Sequence, residues 1–165
     1  NGVSKSYAMT GWRIGYTASN PEIAKVMGNI QSHTASNPNS IAQKATVAAL
    51  RGPQDCVEEM RFAFDQRREQ IYSLLNAIPL LKAPNPQGSF YLFASVEATI
   101  GMSFENSKIS SSDDFASLLL DSRQVAVVPG TGFGAPNHIR LSFATSMENI
   151  IEGLDRIEAF VNDLK

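Results

Sequence analysis

Apolar residues recur along this chain at two alternating periods, and each change of period marks an element. Ile23, Val26, Met27 and Ile30 keep the three-and-four spacing of a helix with one buried face. Asn20-Pro21-Glu22, just ahead of them, is a helix start. Asn caps free N–H groups, Pro suits the first helical position and Glu complements the dipole. Asn37-Pro38-Asn39 breaks the chain, and an Ala-rich second helix is predicted from Ser40 to about Arg51, with Gly52 as its left-handed cap. Residues 53–78 predict a long helix striped by Val57, Met60, Phe64, Ile71, Leu74, Leu75 and Ile78 and interrupted by Arg67-Arg68. Pro79, Pro84 and Pro86 then force extended backbone.

The remaining segments are shorter. Residues 1–18 predict a loop followed by an apolar strand, with Gly11 and Gly15 bracketing Trp12-Arg13-Ile14. Ser89-Phe90-Tyr91-Leu92-Phe93 reads as a buried strand, and residues 101–112 as a polar surface loop. Ser111-Ser112-Asp113-Asp114 starts a helix that turns Phe115, Leu118 and Leu119 inward. Residues 125–128 predict a strand stopped by Pro129-Gly130, residues 130–134 a tight loop, and residues 138–143 the next strand. In that strand Arg140 lies on the face opposite Ile139 and Leu141. Thr145-Ser146-Met147-Glu148 fits a capping box for a last helix striped by Ile150, Ile151, Leu154, Ile157, Val161 and Leu164. The alternation of elements implies layered α and β structure. From residue 53 onward it can close into a small α+β domain, whereas residues 1–50 look like the tail of something larger.

Composition narrows the function. With 43% hydrophobic residues, 18% charged and a net charge of −2, the chain is an ordinary globular one rather than a disordered segment. It has no basic run to suggest nucleic-acid binding. Its apolar runs, such as Val125-Ala126-Val127-Val128, fall far short of the ~20 residues that span a bilayer, so no membrane partner is expected. The single Cys56 excludes an internal disulfide, and two histidines, His33 and His138, give no metal cluster. A reduced, cytoplasmic setting fits. Asn1 is no initiator methionine and no signal segment follows, so the sequence reads as a piece of a longer protein.

Two blocks carry chemistry. Taken alone, Lys5 in the Gly2-Val3-Ser4-Lys5 turn is a solvated surface charge. The block as a whole is more specific: Gly2-Val3-Ser4-Lys5-Ser6-Tyr7-Ala8-Met9-Thr10-Gly11-Trp12-Arg13-Ile14-Gly15. It resembles the pyridoxal-phosphate attachment signature of the class I/II aminotransferases, the aspartate aminotransferase family of fold type I, at every constrained position. The resemblance implies that Lys5 forms the Schiff base with pyridoxal 5'-phosphate, a task that needs the neutral amine. The freed amine then serves as base and acid. By the same resemblance Arg13 binds the cofactor phosphate, for which a planar, permanently charged guanidinium is suited. Many relatives carry a phosphate-binding Ser three residues before the lysine; here that position is Gly2.

The second block is Val128-Pro129-Gly130, Phe133-Gly134 and His138-Ile139-Arg140-Leu141-Ser142-Phe143-Ala144. By itself it reads as a Gly-rich turn and a strand with a solvent-facing arginine. It resembles the family strand whose arginine grips the substrate α-carboxylate, which implies that role for Arg140. Gln87-Gly88-Ser89-Phe90-Tyr91 resembles a strand of the family's small domain, and Ser36-Asn37-Pro38 the loop that approaches the active site from a partner subunit. The resemblance covers essentially the whole chain. It implies residues 1–52 as the C-terminal remnant of the large cofactor-binding domain. Residues 53–165 would then be the interdomain helix and the small domain, a short β-sheet packed by helices. His33 and His138 read as polar residues at element ends, Cys56 as a partly buried small residue, and Tyr7 and Trp12 as packing residues. Arg67 and Arg68 read as a solvated or interdomain helix face.

The implied activity is ping-pong amino-group transfer between an amino acid and a 2-oxo acid, with aspartate and 2-oxoglutarate first. The alternatives are a lyase, decarboxylase or synthase on the same scaffold, or a non-catalytic module. The family's remaining cofactor-binding residues precede the lysine in chain order, so this segment alone is expected to be inactive. Ser32 stands where the animal and enteric subgroup carries an arginine for the distal carboxylate, and Ala8–Arg13 is worded like the other, prokaryotic-type branch. A homodimer is implied for the full-length protein.

Overall fold

A computed structural model describes residues 1–165. Along the chain run α1 (Pro21–Thr34), α2 (Ser40–Arg51), α3 (Asp55–Ala77), β1 (Tyr91–Ser95), β2 (Ser103–Phe104) and β3 (Ser107–Lys108). They are followed by α4 (Ser112–Arg123), β4 (Val128–Pro129), β5 (His138–Ser142) and α5 (Met147–Asn162). Two compact units share these elements, Asn1–Arg61 and Phe62–Lys165.

In the second unit, β5 is the central strand of an antiparallel sheet ordered β1-β5-β4. The register sets Tyr91 opposite Ser142, Phe93 opposite Arg140 and Ser95 opposite His138. Val128 meets Arg140 from the other side, and Pro129, which has no N–H to donate, sits on the edge strand β4. Alternation divides the sheet into two faces. Leu92, Ala94, Ile139 and Leu141 are buried in a core with Ile71 and Leu75 of α3, Phe115 and Leu119 of α4, and Ile150, Leu154, Ile157, Phe160 and Val161 of α5. Phe160 anchors an aromatic cluster, 5.2 Å from Phe115 edge-on and 5.0 Å from Phe104. The sequence stripe of α5 omitted this ring and included Ile151, which is 39% exposed.

Several elements differ locally from the sequence expectation. The segment 101–112 contains the β2–β3 hairpin rather than a plain loop, and β2 also pairs through Ser103 with the Lys165 backbone at 2.8 and 3.0 Å. The strand expected at 125–128 is reduced to Val128–Pro129, and the loop after it is a 3₁₀ turn, Gly130–Phe133. Gly52 is extended (φ −76°, ψ −179°), because its N–H reaches Ala48 O directly at 2.8 Å and no left-handed turn is needed. The cap of α5 falls one residue late: Ser146 Oγ accepts from Asn149 N at 3.2 Å, while Thr145 Oγ1 accepts from the Asn149 side chain.

In the first unit α1 and α2 begin where the sequence predicts. Asn20 caps α1 through bonds to Glu22 N and Ile23 N, and Asn39 caps α2 through Ile41 N and Ala42 N. The apolar stripe of α1 is not buried, however; Val26 is 57% and Ile30 59% exposed. The physical reason is supply. Only Val3, Ala42 and Thr46 are buried in this unit, too few to cover an amphipathic face. Residues 11–18 likewise form no strand: a 3₁₀ turn at Thr10–Trp12 is followed by a single bridge, Gly15 to Gly2.

Glu148, in the first turn of α5, generates a testable consequence. Its carboxylate accepts hydrogen bonds from its own backbone N–H and from the Ser146 hydroxyl, with the Arg67 charge adding to the effect, and these hold its pKa below the usual carboxylate value. The folded state therefore favours the charged form. Its contribution is complete at neutral pH and disappears as pH falls through the depressed folded pKa. Glu148→Gln should lower the melting temperature near pH 7, and the gap to wild type should close as the pH falls through the depressed folded pKa of Glu148. Thermal melts across that range check it.

Candidate functional site

Lys5 and Arg13 stand on one closed loop of the first unit. The loop begins and ends in an antiparallel clasp. Asn1 N donates to Tyr16 O and Tyr16 N donates to Asn1 O, each at 2.8 Å. Inside it, Ala8 N donates to Lys5 O at 3.0 Å, and Tyr7 N and Met9 N both reach Val3 O. Val3 is fully buried beneath this turn, while Lys5 lies exposed on it.

Thr10 ties the two cationic residues together. Its hydroxyl donates to Ser4 O at 2.9 Å, next to Lys5, and its carbonyl accepts from Arg13 Nη1 at 3.1 Å. Arg13 is exposed, and its remaining guanidinium N–H groups stay available to an anion. It also lines an open hollow of about 460 Å³ with Gly11, Trp12, Asn39, Ile41 and Ala42. Ala8 (φ 53°) and Arg13 (φ 52°) both hold left-handed backbone, a strain that persists only where surrounding bonds enforce it. Ser36, in the Ser36-Asn37-Pro38 loop, is left-handed as well (φ 58°).

Arg140 stands on the central strand of the second unit, on the face away from the core, where alternation predicted it. Its guanidinium carbon lies over two rings, 4.2 Å from the centroid of Tyr91 and 4.7 Å from that of Phe133. The five ion pairs of the chain leave Arg140 out: Arg61, Arg68, Arg123 and Arg156 take all of them. Beside it, Phe93 stacks on His138 at 5.0 Å and meets Phe133 edge-on at 6.2 Å. His138, at the start of β5 as the sequence suggested, thus joins an aromatic row.

The other residues singled out in the sequence resolve as follows. His33 lies in the last turn of α1, and Cys56 is exposed rather than partly buried because it faces outward on the first turn of α3. Trp12 is 46% exposed, and Tyr7 donates its hydroxyl to Gln54 Oε1 at 2.7 Å. Arg68 is a partly buried hub between Asp65 and Asn85, at 2.7 and 2.6 Å, and Arg67 lies over Phe64. Sequence reasoning missed Thr10, Tyr91 and Phe133 as supports. The signals were present for two: Tyr91 keeps step with Phe93 on an alternating strand, and Phe133 is a bulky ring among glycines. No group of three His, Cys, Asp or Glu side chains could hold a metal ion, and no helix is long and apolar enough to cross a membrane.

Comparison with known proteins places these features in a family. The family model "Aminotransferase class I and II" matches residues 1–157. The chain belongs to that family. It is 51% identical over 161 residues to an aspartate aminotransferase of Bacillus sp. (strain YM-2), covering 98% of this chain and 40% of the relative. To the aspartate aminotransferase of Bacillus subtilis (strain 168) it is 48% identical over 162 residues, with the same two coverages of 98% and 40%. The crystal structure of the aspartate aminotransferase from Rhizobium meliloti superposes with a TM-score of 0.96 at 43% identity, over 100% of this chain and 42% of that one. The chain therefore spans about two fifths of the length of these aminotransferases.

Within this aminotransferase segment, Gly130 is where the loop bearing Phe133 requires a glycine. A Cβ there would lie 2.2 Å from Ala135 O and 2.6 Å from His138 O, both unyielding backbone atoms. Gly130→Ala should destabilise the protein by about 1–3 kcal/mol or more. Urea unfolding measures it, and an unchanged midpoint would contradict the close approach.

Proposed function

We propose that the protein carrying this chain is a pyridoxal-phosphate-dependent aminotransferase that moves an amino group from aspartate to 2-oxoglutarate. The observation that supports this most strongly is the pairing of Lys5 and Arg13 on one strained, hydrogen-bonded loop through Thr10. The donor set suits the cofactor: an exposed amine for its aldehyde and a guanidinium with unused N–H groups for its phosphate. When bound, the cofactor's chemistry is that of an electron sink that weakens the Cα–H bond of an amino acid.

The chain's own residues would divide the work. Lys5 Nζ holds the cofactor covalently and, once displaced by substrate, accepts the proton from the amino acid Cα. Arg13 anchors the phosphate, and Thr10 fixes its distance along the loop from Lys5. Arg140 binds the α-carboxylate with two parallel N–H donors, which orients Cα–H for transfer. The first 52 residues complete a larger cofactor-binding domain whose other segments cover the α1 stripe. Residues 53–165 form the interdomain helix and small domain. The working protein is a cytoplasmic homodimer.

Full-length protein incubated with L-aspartate and 2-oxoglutarate should form glutamate, with a visible absorbance from bound cofactor that Lys5→Ala abolishes. Absence of glutamate with the absorbance retained would point to a lyase or decarboxylase; coincident wild-type and Lys5→Ala spectra would overturn the enzyme reading.

Gly2 offers a gain-of-function counterpart. A Cβ there meets only ordinary contacts, 3.5 Å to Ile14 O and 3.7 Å to Gly15 Cα, so the fold admits a side chain. Gly2→Ser should therefore fold normally and add a hydroxyl to the phosphate cradle, slowing cofactor loss on dialysis by about threefold or more. Release at the wild-type rate would remove position 2 from the cradle.

A further inference from the structure

We propose that Tyr91 and Phe133 are positioning residues that clamp the Arg140 guanidinium between their rings and so set the affinity for the substrate carboxylate. This rests on the reading of Arg140 as the carboxylate-binding group. The arginine has no carboxylate partner in the ion pairs of the chain and no side-chain hydrogen bond. A long side chain with rotatable bonds and no partner would sample many rotamers, and a ligand would have to order it on binding.

Two aromatic rings remove that disorder without satisfying the charge. They lie 4.2 and 4.7 Å from the guanidinium carbon, well inside the range of cation–π attraction. A ring face carries no strong hydrogen-bond acceptor, so these contacts leave the guanidinium N–H donors to a carboxylate, which uses them bidentately. An acidic partner would hold the same side chain but would occupy those donors and repel the substrate.

The clamp is itself braced. Tyr91 is fixed by the β1–β5 register, two positions from Phe93, which pairs directly with Arg140. Phe133 meets the edge of Phe93 at 6.2 Å, and its loop is closed by the 3.0 Å bonds from Gly134 N to Thr131 O and from Ala135 N to Gly130 O. Thr131 in turn donates to Asp113 of α4. Phe133 remains 51% exposed, so its ring adds little to the core and is free to serve the arginine.

Steady-state kinetics of the full-length protein with L-aspartate and 2-oxoglutarate test this, using Tyr91→Leu, Phe133→Leu, Tyr91→Phe and Arg140→Lys, with melting temperatures recorded alongside. Each Leu variant should raise KM for both substrates about 3- to 30-fold, the range that a lost cation–π contact produces. Their kcat should stay within about twofold of wild type, the pattern of lost uniform binding. Tyr91→Phe keeps the ring and should restore KM. The exposed Phe133 carries the test alone if Tyr91→Leu does not fold.

If Arg140→Lys raises KM but the Leu variants do not, the clamp is overturned while the role of Arg140 stands. If Arg140→Lys leaves KM unchanged, both fall together. Equal impairment in Tyr91→Phe and Tyr91→Leu would assign the effect to the hydroxyl and overturn the ring clamp. A fall in kcat that tracks melting temperature would assign a merely structural role and do the same.

Discussion

Burial of Ile139 and Leu141 on the central strand is the constraint from which the second unit is built. A strand offers its side chains alternately to two faces, so anchoring these two in the core leaves Arg140 on the other face. A slip of one residue would bring a guanidinium into a core of Leu, Ile and Phe side chains and expose the aliphatic pair. The cost of a buried unpaired charge makes that alternative inaccessible. Hydrophobic burial thus places a charged side chain, and does so more firmly than any bond that Arg140 makes itself.

The first unit works on another basis. With only Val3, Ala42 and Thr46 buried, its order comes from hydrogen bonds and capping rather than from a core. The loop carrying Lys5 and Arg13 is a closed ring of backbone bonds with a threonine as cross-strut, and it tolerates two non-glycine residues at positive φ. Such local strain is common where a backbone presents chemistry rather than fills space. The fully buried Val3 is the one apolar peg holding this loop down.

The two arginines illustrate two ways of keeping a cation ready. Arg13 spends one N–H on a nearby carbonyl and is oriented by it, with its other donors open. Arg140 spends none and is oriented by two rings. By contrast Arg68 and Arg123 are committed to acidic partners, and their partly buried side chains serve the scaffold.

Helices α1 to α5, the N-terminal caps of α1 and α4 and the inward face of β5 were legible in the sequence, because each depends on neighbours within one or two turns of the chain. So were Lys5, Arg13 and Arg140 as candidates, since their family resemblance lies in contiguous blocks. The sequence could not say that the α1 stripe stays open, that Gly52 is extended, or that residues 11–18 close a bridge instead of a strand. Burial and pairing depend on what a segment meets, and periodicity is silent on that. Nor could it show that Tyr91 and Phe133, 42 positions apart by number, flank the same guanidinium. That juxtaposition arises only when β1 and β5 pair in register and the Gly130 loop folds back beside them, a non-local event whose geometry no single stretch of residues encodes.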